Sequence, residues 1–179
     1  MWTYRAGARW VLLEVPFRGI DARFLEACLH VRGHGFGLLI AHPERAAGLM
    51  SGGLERLRPV IEAGALLQVN VCSLLGRHGP EAQDAGARLV REGLAYVLAS
   101  DGHGGDENRS HTLAVGPAAA ARVGASALRS RQLTGANPRF LLAHGIPAGP
   151  ARDPAAWRPH HERRMRAAIA AARRITPTG

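Results

Sequence analysis

Residues 65–100, ALLQVNVCSLLGRHGPEAQDAGARLVREGLAYVLAS, spell out one complete strand–helix–strand unit. Ala65 to Val71 (ALLQVNV) and Leu94 to Ser100 (LAYVLAS) are short, β-rich apolar runs. Between them, Pro80 to Glu92 has helical period, with Pro80 suited to a first helical turn. Runs this apolar on both faces, separated by an amphipathic helix, imply parallel strands covered by helices. The same unit repeats upstream. Gly37 to Ala41 (GLLIA) precedes a helix from about Leu54 to Glu62, with Gly64 as its stop signal. Trp10 to Val15 (WVLLEV) precedes a helix over Ala22 to Arg32, with Asp21 as N-cap and Phe24, Leu25, Cys28 and Leu29 as its apolar stripe. The expected architecture is an α/β series of about four parallel strands with flanking helices.

Downstream of Asp101 the pattern changes. A Gly-rich, charged loop (DGHGGDENRSH) leads to short helical segments around Thr112 to Val123, Ser126 to Leu133 and Asn137 to Ala143, which read as a cap closing the α/β unit. Beyond Gly145 the chain is rich in Pro and Gly and ends in an Ala/Arg helix near His160 to Arg174. The expected division is a domain over residues 1–145, then a linker and basic tail over 146–179.

A length of 179 residues suits one domain of ordinary size. No apolar run approaches the roughly 18 to 20 residues of a membrane span. Met1 to Phe17 lacks the pattern of a signal peptide, so cytoplasm is the expected location. Cys28 and Cys72 are too few for a disulfide scaffold and sit in no zinc spacing, so each is read as a small buried hydrophobe. The formal net charge of +9 invites a nucleic-acid reading. All 23 basic residues are Arg, however, and residues 151–179 hold seven of them against Asp153 and Glu162. More than half the excess charge therefore belongs to the tail, which argues against a specific nucleic-acid partner.

In parallel α/β folds the ligand site lies at the carboxyl ends of the strands. Glu14 closes the first strand and His42 the second, Asp101 and His103 follow the fourth, and the third ends near Asn70 and Ser73. Carboxylates and imidazoles converging on one face suit a Mn²⁺, Fe or Zn²⁺ site that polarises phosphoryl groups. Each also has a plainer reading: Glu14, in place of a ligand or paired acid, as a solvated strand-end charge, His42 as a turn histidine, Asp101 as a cap, His103 as an exposed side chain. Glu44 and Arg45 read as an ion pair at a loop surface. His78 and His111 fall in loops on the proposed active face.

Four motifs carry a family resemblance: LLEVPF (Leu12 to Phe17), IAHPER (Ile40 to Arg45), VNVCSLLGRHG (Val69 to Gly79), and LASDGH followed by Arg109. Together with the closing NPRFLLAHGIP, their order and spacing resemble the manganese-dependent tyrosine-protein phosphatases of capsular and exopolysaccharide operons. These belong to the polymerase-and-histidinol-phosphatase (PHP) superfamily. The resemblance implies a distorted (β/α)7 barrel with up to three metal ions at the carboxyl ends of its strands. By motif, Glu14, His42, Asp101 and His103 are implied as ligands of Mn²⁺, and Arg45 and Arg109 as the residues that neutralise and orient the substrate phosphate. The implied chemistry is phosphomonoester hydrolysis by metal-activated water. The implied substrate is a phosphotyrosine protein, a tyrosine kinase that controls polysaccharide export. Neither cysteine lies in a C-x5-R loop, which argues against a thiol-nucleophile mechanism.

The family opens with an H-x-H strand, and no H-x-H occurs in this chain. The resemblance therefore covers the latter part of the domain, the C-terminal part of the barrel. A chain truncated at its N-terminus is expected to carry fewer metals, and to be poorly soluble or to pair as a homo-oligomer through the Trp10 to Val15 edge. Two alternatives stand beside the phosphatase reading. One is another PHP phosphoesterase, acting on histidinol phosphate or nucleic-acid 3′ ends, and the other is a catalytically inactive fragment.

Overall fold

The computed structural model describes residues 10–103 and 111–146, together with Ala170. Four strands, β1 (Trp10–Glu14), β2 (Gly37–Ala41), β3 (Leu66–Asn70) and β4 (Ala95–Ala99), form one sheet in the order β1-β2-β3-β4. Every pairing is parallel. The helices between them are α1 (Ala22–Gly33), α2 (Leu54–Glu62), the single-turn α3 (Val71–Leu74) and α4 (Pro80–Arg91). Consecutive strands lie side by side, each joined to the next by a helical crossover, in a parallel α/β sheet.

Local chemistry explains the element ends. The Asp21 carboxylate accepts from the Phe24 N–H at 2.8 Å and caps α1. Pro80 opens α4, where a missing N–H costs nothing. Gly64 at φ +93° turns the chain from α2 into β3, a conformation that L side chains avoid.

The main core lies on one face of the sheet. Leu38 and Ile40 of β2 and Leu67 and Val69 of β3 pack there with Leu25 and Cys28 of α1, Leu57 and Val60 of α2, and Leu89 of α4. The opposite face holds a smaller cluster, Leu39, Val97, Leu141 and Ile146. On this point the expectation of apolar runs buried on both faces fails for β1. Leu12 is 42% exposed, because β1 is an edge strand with alternating burial.

The cap segments are α5 (Gly116–Arg122), α6 (Ala127–Arg131) and α7 (Asn137–His144). They are tied to β4 by two side chains that donate to strand carbonyls: Arg129 to Ala95 at 2.5 Å and Asn137 to Tyr96 at 2.7 Å. The residues of the expected linker and tail helix, Ala170 excepted, and Arg109 lie outside the described residues. No helix among the described residues is long and apolar enough to cross a membrane.

Candidate metal and phosphate site

The carboxyl ends of all four strands meet at one rim. At the end of β1, Glu14 Oε1 lies 2.9 Å from His42 Nε2, the residue after β2. The Glu14 side chain is 66% exposed while His42 is 2% exposed, so Glu14 pairs with a buried imidazole from the solvent side. The Phe17 ring stacks on His42 with centroids 5.8 Å apart and 17° between planes. The Arg45 guanidinium sits 4.5 Å from the centre of the same Phe17 ring. Arg45 Nη1 in turn donates to Asp101 Oδ2 at 3.1 Å. His103 is exposed, and its Nδ1 lies 3.0 Å from the Asp101 carbonyl. The residues singled out from the motifs, Arg109 excepted because it lies outside the described residues, thus form one continuous chain of contacts.

Among the described residues, His42 (φ +35°) and Asp101 (φ +53°) are the two non-glycine residues with positive φ. His42 is doubly constrained, because Pro43 disfavours such a conformation in the residue before it. Left-handed backbone at non-glycine residues costs energy and concentrates at functional sites.

Beneath this surface layer lies a buried polar network. Asn70, fully buried at the end of β3, donates from Nδ2 to Asp101 Oδ2 at 3.0 Å. Its backbone N–H donates to Glu44 Oε1 at 2.9 Å. Ser73 Oγ donates to the same Glu44 oxygen at 2.7 Å. Ser73 Oγ also lies 2.9 Å from His78 Nδ1, which extends the network toward the loop after α3. Glu44 is 1% exposed, and its Oε2 has no hydrogen-bond partner among the described residues. Burial pushes its carboxyl up to about 7, against the lowering effect of the Asn70 and Ser73 hydrogen bonds. The reading of Glu44 and Arg45 as a surface ion pair is therefore corrected: the carboxylate turns inward to β3 and α3, while the guanidinium crosses to Asp101.

A cleft of about 320 Å³ opens beside this network, lined by Phe17, Glu44, Arg45, His78, Glu81 and Ala82 among others. Sequence reasoning missed Phe17, the burial of Glu44 and the hold of Asn70 on Asp101. The placement of Asn70 at a strand end was the one available signal for the last of these.

The donor chemistry fits a divalent ion in part. Adjacent ligands on an ion with bonds of about 2.1 Å stand about 3.0 Å apart at right angles, close to the 2.9 Å between Glu14 Oε1 and His42 Nε2. A carboxylate oxygen and an imidazole nitrogen suit ions of the Mn, Fe and Zn class. No group of three or more His, Cys, Asp or Glu gathers closely enough among the described residues to hold an ion alone.

Both cysteines are buried, and burial pushes the Cys28 thiol up to about 12. Neither is placed to act as a nucleophile.

Comparison with known proteins agrees with this picture. CapC from Staphylococcus aureus is 31% identical over 96 residues, which are 54% of this chain and 37% of CapC. The tyrosine-protein phosphatase YwqE from Bacillus subtilis is 29% identical over 104 residues, 58% of this chain and 41% of YwqE. A chain from the crystal structures of Bacillus subtilis YwqE and Streptococcus pneumoniae CpsB, described as unique metal-dependent tyrosine phosphatases, superposes with a TM-score of 0.60. That match has 26% sequence identity and covers 80% of this chain and 58% of the solved one. The chain therefore spans about two fifths of the curated relatives it matches. The family model for capsular polysaccharide synthesis, CpsB/CapC, matches residues 3–143. With most of its length inside that match, the chain belongs to the CpsB/CapC family of capsular polysaccharide synthesis proteins.

Proposed function

We propose that the chain is a metal-dependent phosphomonoesterase that hydrolyses phosphotyrosine in proteins and acts in capsular or exopolysaccharide synthesis. The observation that carries this reading is the pairing of left-handed backbone at His42 and Asp101, two strand-end residues of metal-ligating type joined through Phe17 and Arg45. A strained backbone kept at two such positions indicates geometry held for a ligand.

In this reading Glu14 and His42 hold one ion as a pair, and Asp101 and His103 contribute to others. Mn²⁺ is the metal by family resemblance. When bound, the ion supplies Lewis acidity toward the phosphoryl group and lowers the pKa of water. The chain's own residues do the rest. Arg45, held at 3.1 Å by Asp101, offers a planar cation to the phosphate oxygens. Asn70 fixes the Asp101 carboxylate from below. Arg109 joins Arg45 on the phosphate. The protein partner is a phosphotyrosine protein, most naturally a kinase of polysaccharide export, met in the cytoplasm. Residues 1–145 form the phosphoesterase domain, and 146–179 form a linker and basic tail.

A second reading is favoured by one observation: the described donors form pairs, with no cluster of three. A fragment that keeps the fold, binds fewer ions and turns over nothing would look like this. Turnover of a phosphotyrosine peptide, histidinol phosphate and a DNA oligonucleotide, each with and without Mn²⁺, separates the readings. Mn²⁺-dependent turnover of the peptide, abolished by Asp101→Ala, is the expected result. Turnover of histidinol phosphate or the oligonucleotide in preference would move the activity to another branch, and no bound Mn²⁺ with no turnover would leave the inactive fragment.

A further inference from the structure

We infer that Phe17 is the substrate-selecting residue of this site, an aromatic platform that favours aryl over alkyl phosphate esters. The inference rests on the phosphomonoesterase reading above and specifies which ester the site takes. Phe17 is 54% exposed, so its ring is open to a ligand. Its placement is nonetheless fixed. The Phe17 carbonyl accepts from the Ala47 N–H at 2.8 Å, and the Pro16 carbonyl accepts from the Gly19 N–H at 3.0 Å. Gly19 stands at φ +119°, and a Cβ there would lie 2.9 Å from the Ala47 carbonyl oxygen, so this tight turn requires glycine. The ring itself is held by His42 and by the Arg45 guanidinium. An apolar surface is thus pre-ordered against the cation that would take the phosphate, on the wall of one cleft.

The dimensions suit one group. A cleft of about 320 Å³ is at the small end of ligand sites, enough for a single phosphorylated side chain. An ester whose phosphate meets Arg45 must lay its leaving group within reach of Phe17, because guanidinium and ring centre are 4.5 Å apart. A phenyl leaving group gains an aromatic contact there, and a glyceryl group does not. Aromatic pairs of this kind are worth about three- to tenfold in affinity.

The test is binding of benzylphosphonate, 3,4-dihydroxybutylphosphonate and inorganic phosphate, none of which a phosphomonoesterase hydrolyses, to the full chain in the presence of Mn²⁺, by calorimetry or ligand-detected NMR. Wild type is expected to bind benzylphosphonate about three- to tenfold more tightly than 3,4-dihydroxybutylphosphonate. Phe17→Leu is expected to bring that ratio close to one, and Phe17→Tyr to keep it. Both replacements are of similar bulk at an exposed position, and circular dichroism checks that each folds. A wild-type ratio near one, or a ratio unchanged in Phe17→Leu, overturns the role of Phe17 and leaves the phosphatase reading standing. Failure of the wild-type chain to bind any of the three overturns both.

Discussion

Arg45 Nη1 lies 3.1 Å from Asp101 Oδ2, and the bond joins the ends of β2 and β4, two strands that are not neighbours in the sheet. Asn70, at the end of the intervening β3, donates to the same oxygen at 3.0 Å. One carboxylate oxygen thus gathers donors from the ends of β2 and β3, and both contacts are charge-assisted. Arg45 also spans Phe17, so its fork is fixed in direction by two partners.

Arg45→Lys tests whether that fixed direction matters. Lysine keeps the charge but cannot present a planar fork to Asp101 and a phosphate together. On the proposed function, kcat/KM for a phosphotyrosine peptide should fall roughly 10- to 100-fold, the value of one charge-assisted contact. A variant as active as wild type would remove Arg45 from phosphate binding.

Glu44 makes the stability of the chelator-treated protein depend on pH. Unfolded, its carboxyl ionises near 4.5, whereas in the fold burial holds the proton up to about 7. Between those values the unfolded chain has released a proton that the native chain keeps, so stability falls as pH rises through this window. The contribution of this group is up to about 3 kcal/mol. Glu44→Gln keeps an oxygen for the Asn70 N–H and the Ser73 hydroxyl but has nothing to ionise. The difference in Tm between wild type and Glu44→Gln should therefore move in favour of the variant from pH 4.5 to pH 8. A difference that stays constant with pH would show that Glu44 is ionised in the fold at all these values.

The strands and their covering helices were legible because they depend on local periodicity. The apolar run Gly37 to Ala41 is β2 without a change of boundary, and Asp21 and Pro80 open their helices as their chemistry demands. What could not be read were contacts between residues far apart in the chain. Glu44 and Arg45 are adjacent and opposite in charge, so they read as a pair, yet one is satisfied by Asn70 and Ser73 and the other by Asp101. The turn over Pro43–Arg45 sends neighbouring side chains in opposite directions, and only the fold decides which is buried. Phe17 escaped for a similar reason: its partners, His42 and Arg45, arrive from the end of the next strand. The four residues that the motifs single out, Glu14, His42, Asp101 and His103, come to one rim because their spacing along the sequence is the spacing of the strands themselves.

Cys28 and Cys72 supply a probe of opening. Both are buried, and the Cys28 thiol is held protonated by burial up to about 12. Since the thiolate is the reactive form, neither should be modified by a thiol reagent at pH 8 in the folded chain on the time scale of a free thiol. Labelling should instead follow denaturant concentration in step with loss of helical circular dichroism. Fast labelling of Cys28 without denaturant would mean that α1 detaches from the sheet locally.

Gly37 decides how the chain beyond α7 is fastened. It begins β2 on the side of the sheet where Ile146, 1% exposed, packs with Leu39, Val97 and Leu141. A Cβ at Gly37 would overlap both the Ile146 carbonyl oxygen and its side chain. Backbone cannot yield as a flexible side chain can, so Gly37→Ala must push Ile146 off the sheet or shift β2. The expected loss is about 1–3 kcal/mol, as for other overpacked sites. Gly33→Ala is the matched control. Gly33 ends α1 with nothing within 4 Å of a new Cβ, and alanine there should leave the melting temperature unchanged or slightly raised. If Gly37→Ala melts with wild type, Ile146 is not seated against β2 in solution, and the small cluster on that face of the sheet loses the residue that closes it.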